Sequence, residues 1–252
     1  MKYSLITWAS SGIWKACAHG FAKNGNSLIL AARNTEKLEA IKWEIQKQYN
    51  VDIICKSLDV TDSSAVDTFF SELKSDNIQI NCCINNAWLA LWEDEFTQVD
   101  WSDIQTMIDT NIKWFTQVAH GVIPFLKETA WHMFNLSSVA GVECYDGGHV
   151  YGASKAYVKF LSKSLRLEVF GSGIRITDIA PWSVDTEWFS STRFKWDQEK
   201  VTAVYAGYEP LHAEDIINTI LFCFNSPAHV NIEYLAIMPT AQAAARKIYR
   251  EA

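Results

Sequence analysis

Short apolar runs alternate with longer amphipathic stretches along the whole chain, and this rhythm restricts the available folds more than any other feature. The apolar runs Tyr3–Thr7, Ser27–Ala32, Asp52–Ser57, Gln79–Asn85, His132–Leu136, Arg175–Ala180 and Asn231–Met238 read as strands. Between them, helical periodicity predicts helices over residues 12–24, 34–49, 62–75, 102–129, 149–170 and 213–225. Strand, helix, strand, repeated, gives a doubly wound parallel sheet of about seven strands with helices on both faces. No linker rich in Pro, Gly or Ser, no low-complexity tract and no internal repeat divides the 252 residues, so the chain reads as a single α/β domain.

Charge and cysteine usage exclude several classes of function. With 29 acidic against 22 basic residues and a net charge of −7, the chain lacks the basic footprint needed to grip phosphate backbones, so a nucleic acid partner is not expected. No apolar run reaches the length of a membrane span. Ser10, Ser11, Gly12 and Lys15 interrupt the apolar N-terminus before a signal-peptide core can form, so a cytoplasmic location is expected. The cysteines (Cys17, Cys55, Cys82, Cys83, Cys144, Cys223) form no C-x-x-C pair and have no histidine cluster nearby. Small buried thiols in a reducing compartment are expected, with no metal site and no disulfide framework.

A doubly wound sheet binds ligands in the crevice beyond the carboxyl ends of its strands, so the residues following each strand matter first. After the first strand, Thr7-Trp8-Ala9-Ser10-Ser11-Gly12-Ile13-Trp14 is a turn opening a helix whose N-terminal N–H groups can receive a phosphate. After the second strand comes Arg33. A fixed cation where a dinucleotide's adenosine ribose lies favours a 2′-phosphate, although a solvated surface arginine is an equal reading. After the third strand, the aspartate of Leu58-Asp59-Val60 is either part of an adenine pocket or the N-cap of the next helix. After the fourth comes Asn85-Asn86-Ala87-Trp88.

The strongest chemical signal is Tyr151-Gly152-Ala153-Ser154-Lys155, because a spacing of four places the phenol and the ammonium on one helix face. A free tyrosine, with a pKa of about 10, transfers protons poorly at neutral pH, and a nearby cation is expected to lower it. By spacing alone such a pair is more often an ordinary helix-surface contact. Its company is more specific: Asn135-Leu136-Ser137-Ser138 ends a strand upstream, and Asp109-Thr110-Asn111-Ile112-Lys113 sits within an earlier helix.

Together these motifs resemble the short-chain dehydrogenase/reductases over essentially the whole chain. The resemblance implies a single Rossmann-type domain whose cofactor part spans about residues 1–135 and whose catalytic and substrate part spans about 136–252. Tyr151, Lys155, Ser138 and Asn111 match the catalytic tetrad. Tyr151 is then the general acid and base, Lys155 holds the nicotinamide ribose, Ser138 positions the reacting oxygen, and Asn111 supports a proton-relay water through a local break in its helix. Hydride comes from the cofactor. Thr7, Ser10, Ser11, Gly12 and Ile13 match the phosphate turn, Arg33 the 2′-phosphate contact, Asp59 and Val60 the adenine pocket, Asn86 and Ala87 the ribose wall, and Pro181, Val184 and Thr186 the carboxamide segment.

Within the family the chain is most similar to NADP-dependent 3-hydroxy acid dehydrogenases, the group that includes serine and allo-threonine dehydrogenases. Asp109-Thr110-Asn111, Arg193-Phe194-Lys195 and Pro227-Ala228-His229-Val230-Asn231-Ile232 carry that likeness. Arg193 either pairs with a substrate carboxylate in two parallel hydrogen bonds or is a surface arginine. The resemblance implies NADP as cofactor, a small-molecule substrate bound through Ser138, Tyr151 and Arg193, and a homo-oligomer, tetramer or dimer, built on the helices at 102–129 and 149–170. A carrier-bound 3-oxoacyl group or another ketone is an alternative substrate.

One departure is systematic. The chain has as many tryptophans as glycines, 11 of each. Trp8, Trp14, Trp88 and Trp182 stand where the family carries glycine, as do Trp92, Trp114, Trp131 and Trp196. Glycine permits positive φ and close approach of the backbone to a pyrophosphate, and a bulky residue there is strained. A catalytically silent relative, kept as a binding or structural module, is therefore the competing expectation. Trp101 falls on no family glycine and is expected to be an ordinary buried aromatic.

Overall fold

The computed structural model describes residues 1–9, 12–86, 89–91, 94–186, 193 and 197–250. Strands β1 (Lys2–Thr7), β2 (Ser27–Ala32), β3 (Ile53–Ser57), β4 (Gln79–Asn85), β5 (His132–Leu136), β6 (Arg175–Pro181) and β7 (Tyr234–Ile237) form one sheet in the order β3-β2-β1-β4-β5-β6-β7. Every pairing in it is parallel. Its central strands are buried on both faces, which is why they read as continuous apolar runs.

The pleat sends alternate residues into two cores. Leu28 and Leu30 of β2 join a core with helices α1 (Gly12–Lys23), α2 (Thr35–Gln46) and α8 (Ala213–Phe224). Ile29 and Ala31 face a second core built with α3 (Ser63–Ser75) and α5 (Phe115–Thr129). Asn34 caps α2 by accepting from the Lys37 N–H at 2.9 Å. Asp62, not Asp59, caps α3, accepting from Ser64 and Ala65. Asp59 instead accepts from the backbone N–H and hydroxyl of Thr61, closing its own turn.

Three differences from the sequence expectation have local causes. The helix expected over 102–129 is interrupted: α4 (Trp101–Ile108) passes into a π-helical turn over Asp109–Trp114 before α5 begins. The last strand starts at Tyr234 rather than Asn231, because the Asn231 side chain accepts from the Ile176 N–H at 2.8 Å and donates to the Ile176 carbonyl at 3.1 Å, standing in for a strand pairing. Beyond it lies a small antiparallel hairpin, β8 (Gln242–Ala244) with β9 (Lys247–Ile248), that the sequence pattern did not signal. A helix α7 (Gln198–Tyr205) and an α6 over His149–Glu168 complete the elements used below.

The six thiols are free; four are buried, Cys55 is half-buried and Cys144 is exposed, against the expectation of uniform burial. Trp101 is 67% exposed at the start of α4, so its expected burial is not found. No helix among the described residues is long and apolar enough to cross a membrane.

Candidate active site

Doubly wound order places the switch point between β1 and β4, which lead to neighbours on opposite sides. There the structure joins two of the expected residues: the Thr7 hydroxyl accepts from the Asn86 N–H at 3.1 Å and donates to the Ile84 carbonyl at 3.2 Å. Both Thr7 and Asn86 are buried, and both polar atoms of the Asn86 side chain lack a partner among the described residues. A buried amide left open in this way is costly unless something arrives to satisfy it.

Gly12 opens α1 at φ +56°, and the Thr186 side chain lies 3.7 Å from where a Gly12 Cβ would stand, so the 181–186 segment reaches the start of α1. Pro181 ends β6 and Val184 forms an isolated bridge to Leu211. Ile13 and Val60 bury their side chains in the two cores, which leaves only their backbone to face the crevice. Arg33 is exposed just beyond β2, and its charge, after the Thr61 hydrogen bonds, helps hold the Asp59 carboxyl below its ordinary range. Ser10, Ser11 and Ala87, with Trp88, Trp92 and Trp196, lie outside the described residues.

On the other side of the crevice β5 ends in Ser137 and Ser138, and α6 presents Tyr151, Ser154 and Lys155. Gly141 lets the short turn after Ser138 sit directly on α6: a Cβ at 141 would lie 2.6 Å from the Lys155 carbonyl carbon. Ser138 Oγ donates to the Pro181 carbonyl at 3.2 Å and accepts from the Ala140 N–H. It is also in hydrogen-bond contact with the Tyr151 hydroxyl. Lys155 is 1% exposed, donates from Nζ to the Leu136 carbonyl at 2.7 Å, and lies 5.9 Å from the centroid of the Tyr151 ring.

Asn111 sits on the π-helical turn, which confirms the expected break in its helix. Its amide is fully engaged, accepting from the Leu89 N–H at 2.7 Å and donating to the Leu89 carbonyl at 2.8 Å and to Ser154 Oγ at 2.9 Å. Ser154 in turn donates to the Tyr151 carbonyl. Asn111 therefore ties the segment after β4 to the helix that carries Tyr151 and Lys155. Arg193 is 6% exposed rather than a surface residue, donates to the Tyr145 hydroxyl at 2.9 Å, and lies 5.9 Å from the Tyr151 ring.

The electrostatics correct one expectation. In this structure burial raises the Tyr151 phenol above its ordinary value, the neighbouring Tyr145 adds to that, and Ser138 and Arg193 pull it back down. The lowering expected from a neighbouring cation is outweighed by burial, and burial also pushes Lys155 itself down to about 7. Asp178 on β6 opposes that shift; burial raises its own carboxyl, while the Ser137 N–H donates to it at 3.1 Å. Sequence reasoning missed Asp178, Ser154 and Tyr145. Ser154 was within the Tyr-to-Lys motif and one turn from Tyr151, whereas nothing in the local pattern marks the other two.

The tryptophan positions are equally concrete. Trp8 adopts φ +58°, the left-handed region that glycine occupies without cost. Its half-buried ring packs onto both cores and lies 6.2 Å from the Trp114 ring. Trp14 and Trp114 are buried, Trp131 is half-buried, and the indole N–H groups of Trp114 and Trp131 have no partner among the described residues. Trp182 stands edge-on to Tyr145 at 5.1 Å, and Ser183, next to it, also has positive φ.

Comparison with known proteins agrees with this geometry. Residues 2–196 match the family model described as short chain dehydrogenase. The chain is 42% identical to a sulfoacetaldehyde reductase of Chromohalobacter salexigens, over 94% of each chain. It is 36% identical to an NADP-dependent 3-hydroxy acid dehydrogenase of Salmonella typhi, over 94% of this chain and 95% of the other. Among solved structures, the closed form of serine dehydrogenase complexed with NADP+ superposes with a TM-score of 0.90 at 34% identity, covering 99% of this chain and 100% of the other. The chain belongs to the short-chain dehydrogenase family.

Proposed function

We propose that the chain is an NADP-dependent oxidoreductase interconverting a small 3-hydroxy acid, of the serine, allo-threonine or 3-hydroxyisobutyrate type, and its 3-oxo acid, with Tyr151 as general acid and base. The observation that carries this reading is the buried Arg193 guanidinium beside Tyr151, a cation that can pair with an acid group while the phenol meets the adjacent oxygen.

The chain's own residues fit a nicotinamide dinucleotide phosphate at several points. Asn86 offers a buried amide with open donor and acceptor, Gly12 begins α1 in the conformation a phosphate turn requires, and Arg33 stands exposed beyond β2 for a 2′-phosphate. Bound NADP supplies or accepts the hydride. Ser138 orients the substrate oxygen, Tyr151 moves a proton to or from it, and Lys155, fixed by the Leu136 carbonyl, is the cation facing the phenol. Asn111 holds the wall formed by Leu89 against α6.

The likeness to a sulfoacetaldehyde reductase favours a second reading of the same site. Sulfoacetaldehyde carries its sulfonate on the carbon next to the carbonyl, as a 3-oxo acid carries its carboxylate, and a guanidinium accepts either anion. Purified protein with NADP and serine, allo-threonine or 3-hydroxyisobutyrate is expected to generate reduced nicotinamide, and with NADPH and sulfoacetaldehyde to consume it. Both activities should fall by roughly 10²–10⁴ in Tyr151→Phe. Equal rates in the variant overturn the role of Tyr151. Turnover confined to 3-oxoacyl or other neutral ketones overturns the acid reading, and absence of saturable NADPH binding assigns the chain to the silent, module-like relatives.

A further inference from the structure

The C-terminal hairpin, absent from the sequence pattern, ends against the catalytic corner. The Ala245 N–H donates to Glu143 Oε2 at 2.7 Å, and Arg246 Nη2 donates to the Asp146 carbonyl at 2.9 Å. These bonds hold the Arg246 guanidinium 5.0 Å from the centroid of the Tyr145 ring. Tyr145 is half-buried and packed on two further sides. Gly148 leaves room that any Cβ would fill, since that atom would lie 2.5 Å from the ring, and Trp182 packs edge-on at 5.1 Å. The Tyr145 hydroxyl is the group to which Arg193 donates, and Arg193 is the cation beside Tyr151. A continuous line of contacts thus runs from the hairpin through Arg246, Tyr145 and Arg193 to the catalytic phenol.

We propose that Arg246 is a positioning residue which sets acid selectivity: by fixing the ring of Tyr145 it fixes the Tyr145 hydroxyl, and through it the direction in which Arg193 presents its guanidinium to the acid group of the substrate. This rests on the acid-substrate reading above. A cation over an aromatic face and a planar guanidinium bonded to a backbone carbonyl restrain the ring more tightly than packing alone. Arg246 itself is exposed on the hairpin, so it acts through Tyr145 rather than on the substrate. The physical consequence is specific: loosening Tyr145 blurs the position of one charge and leaves the proton-transfer groups in place.

The test compares 3-hydroxyisobutyrate with its methyl ester, which share a skeleton and differ in charge. In Arg246→Ala, KM for the acid is expected to rise about tenfold, while kcat for the acid and KM for the ester and for NADP stay within twofold. Arg246→Lys should recover only part of that loss, because the charge over the ring is kept but the planar contact is lost. Glu143→Gln, which weakens the other tether, should shift KM for the acid the same way by a smaller factor. In a Tyr145→Phe background Arg246→Ala should add nothing, the signature of two residues acting in one line. Calorimetric titration of 3-hydroxyisobutyrate gives the same comparison as an affinity without turnover. Full rescue by lysine, additive effects of the two substitutions, or equal loss on acid and ester each overturn the proposal. Preference of the unsubstituted protein for the ester overturns the acid reading instead, whatever Arg246 does.

Discussion

The two sides of the crevice solve the same problem differently. At the corner of β5 and α6 the reactive groups are buried and interlocked: Ser138, Tyr151, Lys155, Ser154 and Asn111 are linked by hydrogen bonds and close contacts, and the turn after Ser138 fits α6 because residue 141 has no side chain. Between β1 and α1, Gly12 opens the helix at φ +56°, whereas Trp8 holds φ +58° with an indole packed against both cores. Such backbone strain costs on the order of 1–3 kcal/mol. On the proposed function this contrast predicts that the chemistry and the cofactor grip are separable: one side keeps a small residue where close approach requires it, and the other carries a bulky residue at positive φ.

The largest effect is expected on the interlocked side. Tyr151→Phe should lower kcat by roughly 10²–10⁴, the range for loss of a general acid and base, with NADPH affinity unchanged. A variant that loses NADPH binding as well would mean that the two sides are not separable. On the strained side, Trp8→Gly should strengthen NADPH binding about tenfold, about 1.4 kcal/mol, by removing the indole that would crowd a close approach of the backbone to the cofactor, as read by calorimetric titration. Its melting temperature should change less, since glycine increases the entropy of the unfolded chain and the contact with Trp114 is lost. Weaker NADPH binding in this variant would show that the indole supports the grip.

Arg33→Gln sharpens the comparison at the far end of the cofactor side. The ratio of NADP to NAD affinity is expected to fall about tenfold, the worth of one charge-assisted hydrogen bond of about 1.5 kcal/mol. An unchanged ratio would place Arg33 among solvated surface cations. The smallest effect is on stability. Burial lowers Lys155 from 10.5 to about 7, so between these values the unfolded chain binds more protons than the folded one. Stability contributed by this group therefore rises with pH across that window, and below about 7 the burden of the buried cation is fully present. Lys155→Met should flatten that slope, measured as the difference in melting temperature between about pH 6.5 and pH 9. An identical slope in the variant would assign the pH dependence to other groups.

Much of the catalytic corner was legible in the sequence because its residues sit at fixed offsets within single elements. Tyr151 and Lys155 share a helix face by the period of the helix alone, and Ser138 follows an apolar run that could only be a strand. The strain at Trp8 was legible for the same reason, as a bulky residue in a turn that requires positive φ. What could not be read were groups that act from a distance in sequence. Asp178 reaches the site because β6 pairs with β5, the amide of the expected Asn111 is spent on Leu89 and Ser154, which no spacing signals, and Asp62 displaced Asp59 as the cap of α3 through a choice between two nearby carboxylates. The phenol's acidity was misjudged because burial, which no spacing reveals, outweighs the neighbouring cation.

By itself the sequence determined the doubly wound sheet and the candidate side chains at the ends of its strands, since hydrophobic period and helical spacing are local properties of the chain. Only the tertiary structure decided how acidic those side chains are, that Arg193 is buried beside Tyr151, and that a hairpin about a hundred residues away from Tyr145 closes over it. Desolvation and side-chain direction depend on which distant elements pack together, and that information exists only once the chain has folded.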